Sequence, residues 1–197
     1  MSQIANVAAG DGGPETVHGT GGVGATGMWT FLATDAMGFG GLLIATGVLR
    51  VRAAVEAWPD PRTRLALAPA AAMTFALLLS SLTMTLATRA STLRVRRAWL
   101  LATLALGVGF LGGGAFEYAH MLGGAPAMGL TSDLFASTFY VVTGFHALHV
   151  FAGVVAISFM LRAKIGAQAL ETTALYWHFV DAAWMPIFSI IYLWPAR

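Results

Sequence analysis

Residues 139–157 read FYVVTGFHALHVFAGVVAI. None of these positions is Asp, Glu, Lys or Arg, and the apolar run extends in both directions, from Leu134 to Leu161. A stretch of ~18 or more apolar residues without charge is long enough to cross a bilayer as a helix. A membrane β-strand would instead be ~9–11 residues long and alternate in polarity. On a helix, Thr143, His146 and His149 recur every third residue and share one face.

Working outward from this block, four more long apolar runs appear, three of them carrying a single carboxylate, Asp35, Glu117 or Asp181. The spans expected are 28–49, 66–88, 98–121, 134–161 and 174–194, the last containing YWHFVDAAWMPIFSIIYLW at 176–194. The fold class is therefore all-α, a polytopic membrane protein built as a five-transmembrane-helix bundle at 28–197. Arginines punctuate the runs: Arg50 and Arg52, then Arg62 and Arg64 around Trp58-Pro59-Asp60-Pro61, then Arg89, Arg94, Arg96 and Arg97. Gly123, Gly124, Pro126 and Gly129 break the third run, Arg162 and Lys164 end the fourth, and Pro195 and Arg197 cap the fifth. Residues 1–27, including GDGGPETVHGTGGVGATG, hold no Lys or Arg and no apolar stretch. They read as a disordered tail rather than a signal peptide, with His18 solvated. Glycines cluster at Gly38, Gly40, Gly41 and Gly47, and at Gly107, Gly109, Gly112, Gly113 and Gly114, where they would let helix backbones approach.

Composition agrees. The chain is 57% hydrophobic and 10% charged, with a mean hydropathy of +0.73, where a water-soluble domain carries about 25% charged residues. The net charge of +2 comes from link arginines, which set topology more often than they bind nucleic acid. Their distribution does not decide orientation. Arg89, Arg94, Arg96, Arg97, Arg162 and Lys164 fall on one side, and Arg50, Arg52, Arg62, Arg64 and Arg197 on the other. With no cysteine in the chain, disulfides, thiolate metal sites and iron–sulfur ligation are excluded.

Ionisable groups inside a membrane are costly and mark function by default. Three pairs stand at i, i+3 spacing: Glu117/His120, His146/His149 and His178/Asp181. Glu117/His120 has the Glu-x-x-His form that supplies di-iron ligands in helical bundles, but that site needs a second such pair and two further carboxylates. His146 and His149 could share a metal or a haem edge, or act with Thr143 as interhelical hydrogen-bond glue. Asp181 could accept from His178 and fix its tautomer. Asp35, ~10 Å past Met28 by helical rise, is either a proton-accepting group or a buried bundle-fixing carboxylate. Arg94, Arg96 and Arg97 beside Trp99 could meet lipid head groups. No metal site is assigned.

TFYVVTGFHALHV and YWHFVDAAW resemble the two signature regions of subunit III of haem–copper cytochrome oxidases. Ser132-Asp133 and Glu171 stand where that family has them, FEYAHM resembles its Glu-Tyr region, and WTFLATDAMGFGG resembles its first shared helix. The resemblance covers residues 28–194 and is to the five-span bacterial form. It implies an accessory subunit without haem or copper of its own, binding phospholipid within its bundle and sustaining proton uptake by the catalytic subunit. Haem and copper would belong to its partners, subunits I and II, with cytochrome c or quinol as the complex's electron donor and no nucleic acid involved. It implies an inner (cytoplasmic) membrane location, the N-terminus cytoplasmic and the C-terminus outside. Asp35 takes the place of a carboxylate linked to proton uptake that is usually Glu, and Gly113, Gly114 and Ala115 occupy a region where a Gln is common. Intramembrane polar residues expected to face the interior are Glu117, His146, His149, His178 and Asp181. A quinol oxidase subunit, an accessory protein of a nitric oxide reductase and an independent di-metal enzyme are the alternatives.

Overall fold

The computed structural model describes residues 20–53, 58, 65–124, 128–162 and 166–194. Among them are five long helices and no strand: α1 (Thr20–Arg52), α2 (Leu67–Arg89), α3 (Leu93–Gly123), α4 (Leu134–Arg162) and α5 (Ala167–Phe188). Helix α5 continues into a π-helical segment, Ser189–Leu193. All five are long and apolar enough to span a membrane. The all-α five-span reading is borne out. Lipid offers backbone groups no partners, so only a structure that satisfies them internally can cross.

Three helices start well before the expected bounds. Helix α1 begins at Thr20 instead of Met28, α3 at Leu93 instead of Ala98, and α5 at Ala167 instead of Ala174. Arg94, Arg96 and Arg97 thus belong to the opening turns of α3 rather than to a link, and Glu171 lies on α5. Hydropathy runs miss such ends because helices project past the hydrocarbon into the polar interface. Thr92 caps α3, accepting from the Val95 amide at 3.4 Å. Asp133 holds the start of α4, its Oδ1 accepting from the Ala136 amide at 2.7 Å. Residues 1–19 with His18, the Pro59–Arg64 link, Pro126, Lys164, Pro195 and Arg197 lie outside the described residues.

Helices α2, α3, α4 and α5 close a ring in which each packs on the next and α5 returns to α2. Helix α1 lies outside it, against α5 and more lightly against α4. Helices α1 and α5 run parallel: Gly24 faces Gln168 near their starts, and the Arg50 guanidinium donates to the Trp194 carbonyl at 3.1 Å at their ends. Arg50 also stacks over the Trp194 and Trp58 rings, at 4.7 and 5.6 Å. The core follows α5, where Trp177, Val180, Ile187 and Ile191 are fully enclosed. Large apolar side chains such as Phe116, Leu148 and Phe159 point outward, as lipid-solvated surfaces allow. Hydroxyls are silenced locally: Thr46, Thr138 and Ser158 each donate to the carbonyl four residues back, at 2.8, 2.7 and 2.8 Å.

The glycines do not act as the clusters suggest. An added Cβ at Gly38, Gly40, Gly41 or Gly47 would meet nothing within 4 Å in this chain. Only Gly107 and Gly113 of the α3 cluster meet a neighbour closely, Trp177 and Met73 respectively.

Candidate functional site

The polar residues divide into four small assemblies. The first joins α1 to α4. His149 Nε2 lies 3.1 Å from Asp35 Oδ1, with the two side chains 15% and 12% exposed. His149 Nδ1 lies 2.8 Å from the Phe145 carbonyl, one turn back on its own helix. A carbonyl only accepts, so Nδ1 carries a hydrogen. The Nε2···Oδ1 contact then requires a second proton, held either by the imidazole or by the carboxyl group. The pair ties the middle of α1 to the middle of α4. Phe39 and Phe145 pack on the His149 ring at 5.0 and 4.7 Å, and the Tyr176 hydroxyl donates to the His149 carbonyl at 3.0 Å. Asp35 lies near the midpoint of Thr20–Arg52 and His149 near that of Leu134–Arg162. Because α1 starts early, Asp35 is deeper along its helix than a start at Met28 implied.

The second assembly ties α2 to α5. His178 Nδ1 lies 2.6 Å from Ser81 Oγ and Nε2 3.4 Å from Thr85 Oγ1. Thr85 spends its hydrogen on the Ser81 carbonyl at 3.0 Å, so it accepts from Nε2–H while Ser81 donates to Nδ1. The tautomer of His178 is set by two hydroxyls of α2, and the expected Asp181–His178 bond is absent. Asp181 is buried beside Ser80 and Ser81. The α5 indoles use the same face of α2: Trp177 Nε1 donates to Ser80 Oγ and Trp184 Nε1 to Thr74 Oγ1, both at 2.9 Å. Sequence reasoning passed over Thr74, Ser80, Ser81 and Thr85. The available signal was that a helical span spaces its hydroxyls by about seven and four residues, on one stripe.

The third assembly lies between α3, α4 and the π-helical segment. Tyr192 donates to Glu117 Oε2 at 2.8 Å, and the Tyr118 hydroxyl meets Thr143 Oγ1 at 2.6 Å. Pro186 removes one backbone donor from α5 just before the π-helical turns that carry Tyr192. His120 does not join Glu117; it is exposed and stacks on Phe116 at 6.4 Å.

The fourth is His146 alone. It is fully buried, and neither ring nitrogen has a protein partner. Phe110 and Trp184 pack around it at 5.6 and 4.9 Å. His146 and His149 therefore serve different neighbours, the hydrogen-bond glue expected of His146 is absent, and Thr143 bonds to Tyr118. Glu117, His146, His149, His178 and Asp181 are all at least partly enclosed by protein, none being exposed. Among the described residues no group of three or more His, Asp or Glu side chains converges on one point, so the ligand set of the di-metal alternative is not assembled. Arg94 and Arg97 are exposed, and Arg96 and Trp99 half-buried, at the start of α3.

The arrangement defines a class: a five-helix membrane protein whose polar side chains mostly join helix to helix. Residues 20–196 match the family model of cytochrome c oxidase subunit III. A cytochrome c oxidase subunit 3 of Thermostichus vulcanus is 34% identical over 178 residues, covering 85% of each chain. A probable cytochrome c oxidase subunit 3 of Nocardia farcinica is 35% identical over 173 residues, 82% of this chain and 83% of its own. A cytochrome c oxidase subunit 3 of Synechocystis sp. is 36% identical over 179 residues, 85% of this chain and 74% of its own. The chain belongs to the cytochrome c oxidase subunit III family. These matches do not favour a quinol oxidase or a nitric oxide reductase.

Proposed function

We propose that this chain is the non-redox accessory subunit of a bacterial cytochrome c oxidase, and that its Asp35–His149 pair holds a proton for the catalytic subunit's uptake path. The observation that carries this is the proton accounting at His149, whose Nδ1 is committed to the Phe145 carbonyl and whose Nε2 meets the Asp35 carboxyl group. Helix α1 supports a partner on its outer face, since Met37 and Ile44 are exposed there and Gly38, Gly40 and Gly41 leave their surroundings open. Subunit I is the partner proposed for that face, with subunit II completing the haem- and copper-bearing part and cytochrome c as donor. A cleft of about 200 Å³ between α1 and α4, lined by Leu42, Thr46, Leu134 and Val141, is suited to a phospholipid acyl chain. Arg94, Arg96, Arg97 and Trp99 are proposed for head groups at the other end. The location proposed is the cytoplasmic membrane with the N-terminus inside.

Mild detergent extraction of the tagged chain tests this reading. It should bring down haem- and copper-bearing subunits that together reduce oxygen with cytochrome c. Recovery of the chain with a nitric oxide reductase, or without any redox partner, would overturn it.

A further inference from the structure

A cavity of about 180 Å³ lies among α2, α3, α4 and the end of α5, apart from the Asp35–His149 pair. Phe110 and Trp184 form part of its wall, and Glu117, Tyr118, Thr143 and Tyr192 are the polar groups lining it. Its remaining lining is apolar. An engineered apolar cavity of ~150 Å³ takes a benzene ring, so this volume suits one six-membered ring with a substituent.

The hydrogens at the polar end are already spent. Thr143 Oγ1 donates to the Phe139 carbonyl at 2.6 Å. Tyr118 therefore donates to Thr143 across their 2.6 Å contact. Tyr192 donates to Glu117 Oε2. Glu117 Oε1 is buried with no protein partner. What the cavity offers is acceptors, a carboxylate oxygen foremost, against an aromatic wall. A buried acceptor left unmatched is costly, and the complement is a ring that carries a hydrogen-bond donor. A cavity within membrane-spanning helices is reached from the lipid phase. We propose that this cavity binds a lipid-soluble monocyclic phenol, its ring against Phe110 and Trp184 and its hydroxyl donating to Glu117 Oε1.

The test uses the purified oxidase complex in phosphatidylcholine nanodiscs, titrated with 4-fluorophenol and separately with 4-fluoroanisole. Binding is followed by fluorine NMR, with empty nanodiscs giving the partition into lipid. The two probes match in ring and fluorine, but only the phenol donates. Saturable binding of the phenol should be about tenfold tighter than that of the anisole, the scale of one hydrogen bond. Glu117→Gln should erase that preference. Gly114→Leu, at a lining position where an added side chain has room to start, should fill the cavity and abolish saturable binding even where Glu117→Gln does not assemble. Equal affinity for the two probes, or phenol binding unchanged by Gly114→Leu, would overturn the proposal.

Discussion

Gly153 lies against the face of Trp177 so closely that a Cβ on it would stand 2.7 Å from two carbons of the indole. On the other side, a Cβ on Gly107 would stand 2.6 Å from the tip of the same ring. The fully buried indole is thus slotted between α3 and α4 while its Nε1 donates to Ser80 on α2. One α5 side chain engages the other three helices of the ring.

The first expectation follows from that slot. Gly107→Ala and Gly153→Ala must each displace a rigid ring that is also hydrogen-bonded. Overpacking of this kind costs about 1–3 kcal/mol, and thermal unfolding of the solubilised chain should register it. Gly109→Ala and Gly112→Ala, where an added methyl meets nothing within 4 Å in this chain, should stay within about 0.5 kcal/mol of wild type. Equal losses at all four positions would remove the slot as the cause.

Asp35→Asn keeps the shape of the side chain but cannot share an acidic proton with His149. If the pair supplies protons to the partner, oxygen reduction by the assembled complex should slow chiefly at high pH, where bulk protons are scarce. The loss should reach roughly threefold, well short of the ~10²-fold contribution of a positioned proton-transfer group at a reacting centre. A purely structural carboxylate predicts poorer assembly and an unshifted pH profile. Turnover against pH at full subunit occupancy separates the two.

Ser81→Ala removes the donor to His178 Nδ1. A buried nitrogen left without its partner costs about 1–3 kcal/mol. Stability should fall by that amount while the pH profile of turnover stays that of wild type. A displaced profile would make His178 part of the proton path instead of part of the α2–α5 joint.

Chelator-washed chain, separated from its partners, should retain well under about one transition-metal ion per molecule, because an ion needs several deprotonated ligands in one place. Glu117 is committed to Tyr192, His149 to Asp35 and Phe145, and His178 to Ser81 and Thr85. Elemental analysis measures this directly. A stoichiometric ion would overturn the reading of this chain as a subunit without a metal centre.

Sequence alone determined that five helices cross the membrane. Apolar runs of this length have no other way to satisfy their backbone in lipid, and 139–157 and 176–194 are such runs. It also marked Asp35, Glu117, His146, His149, His178 and Asp181, because ionisable groups are rare at that depth. Which of them meet was decided only in the tertiary structure. The i, i+3 pairs are neighbours along one helix, but a side chain on a bundle helix points away from its own axis toward whichever helix packs there. His149 therefore finds Asp35, 114 residues away, and His178 finds Ser81 and Thr85. Glu117 finds Tyr192. The same physics separates Gly107 and Gly153 from the glycines of α1: a missing Cβ matters only where another helix brings a ring against it.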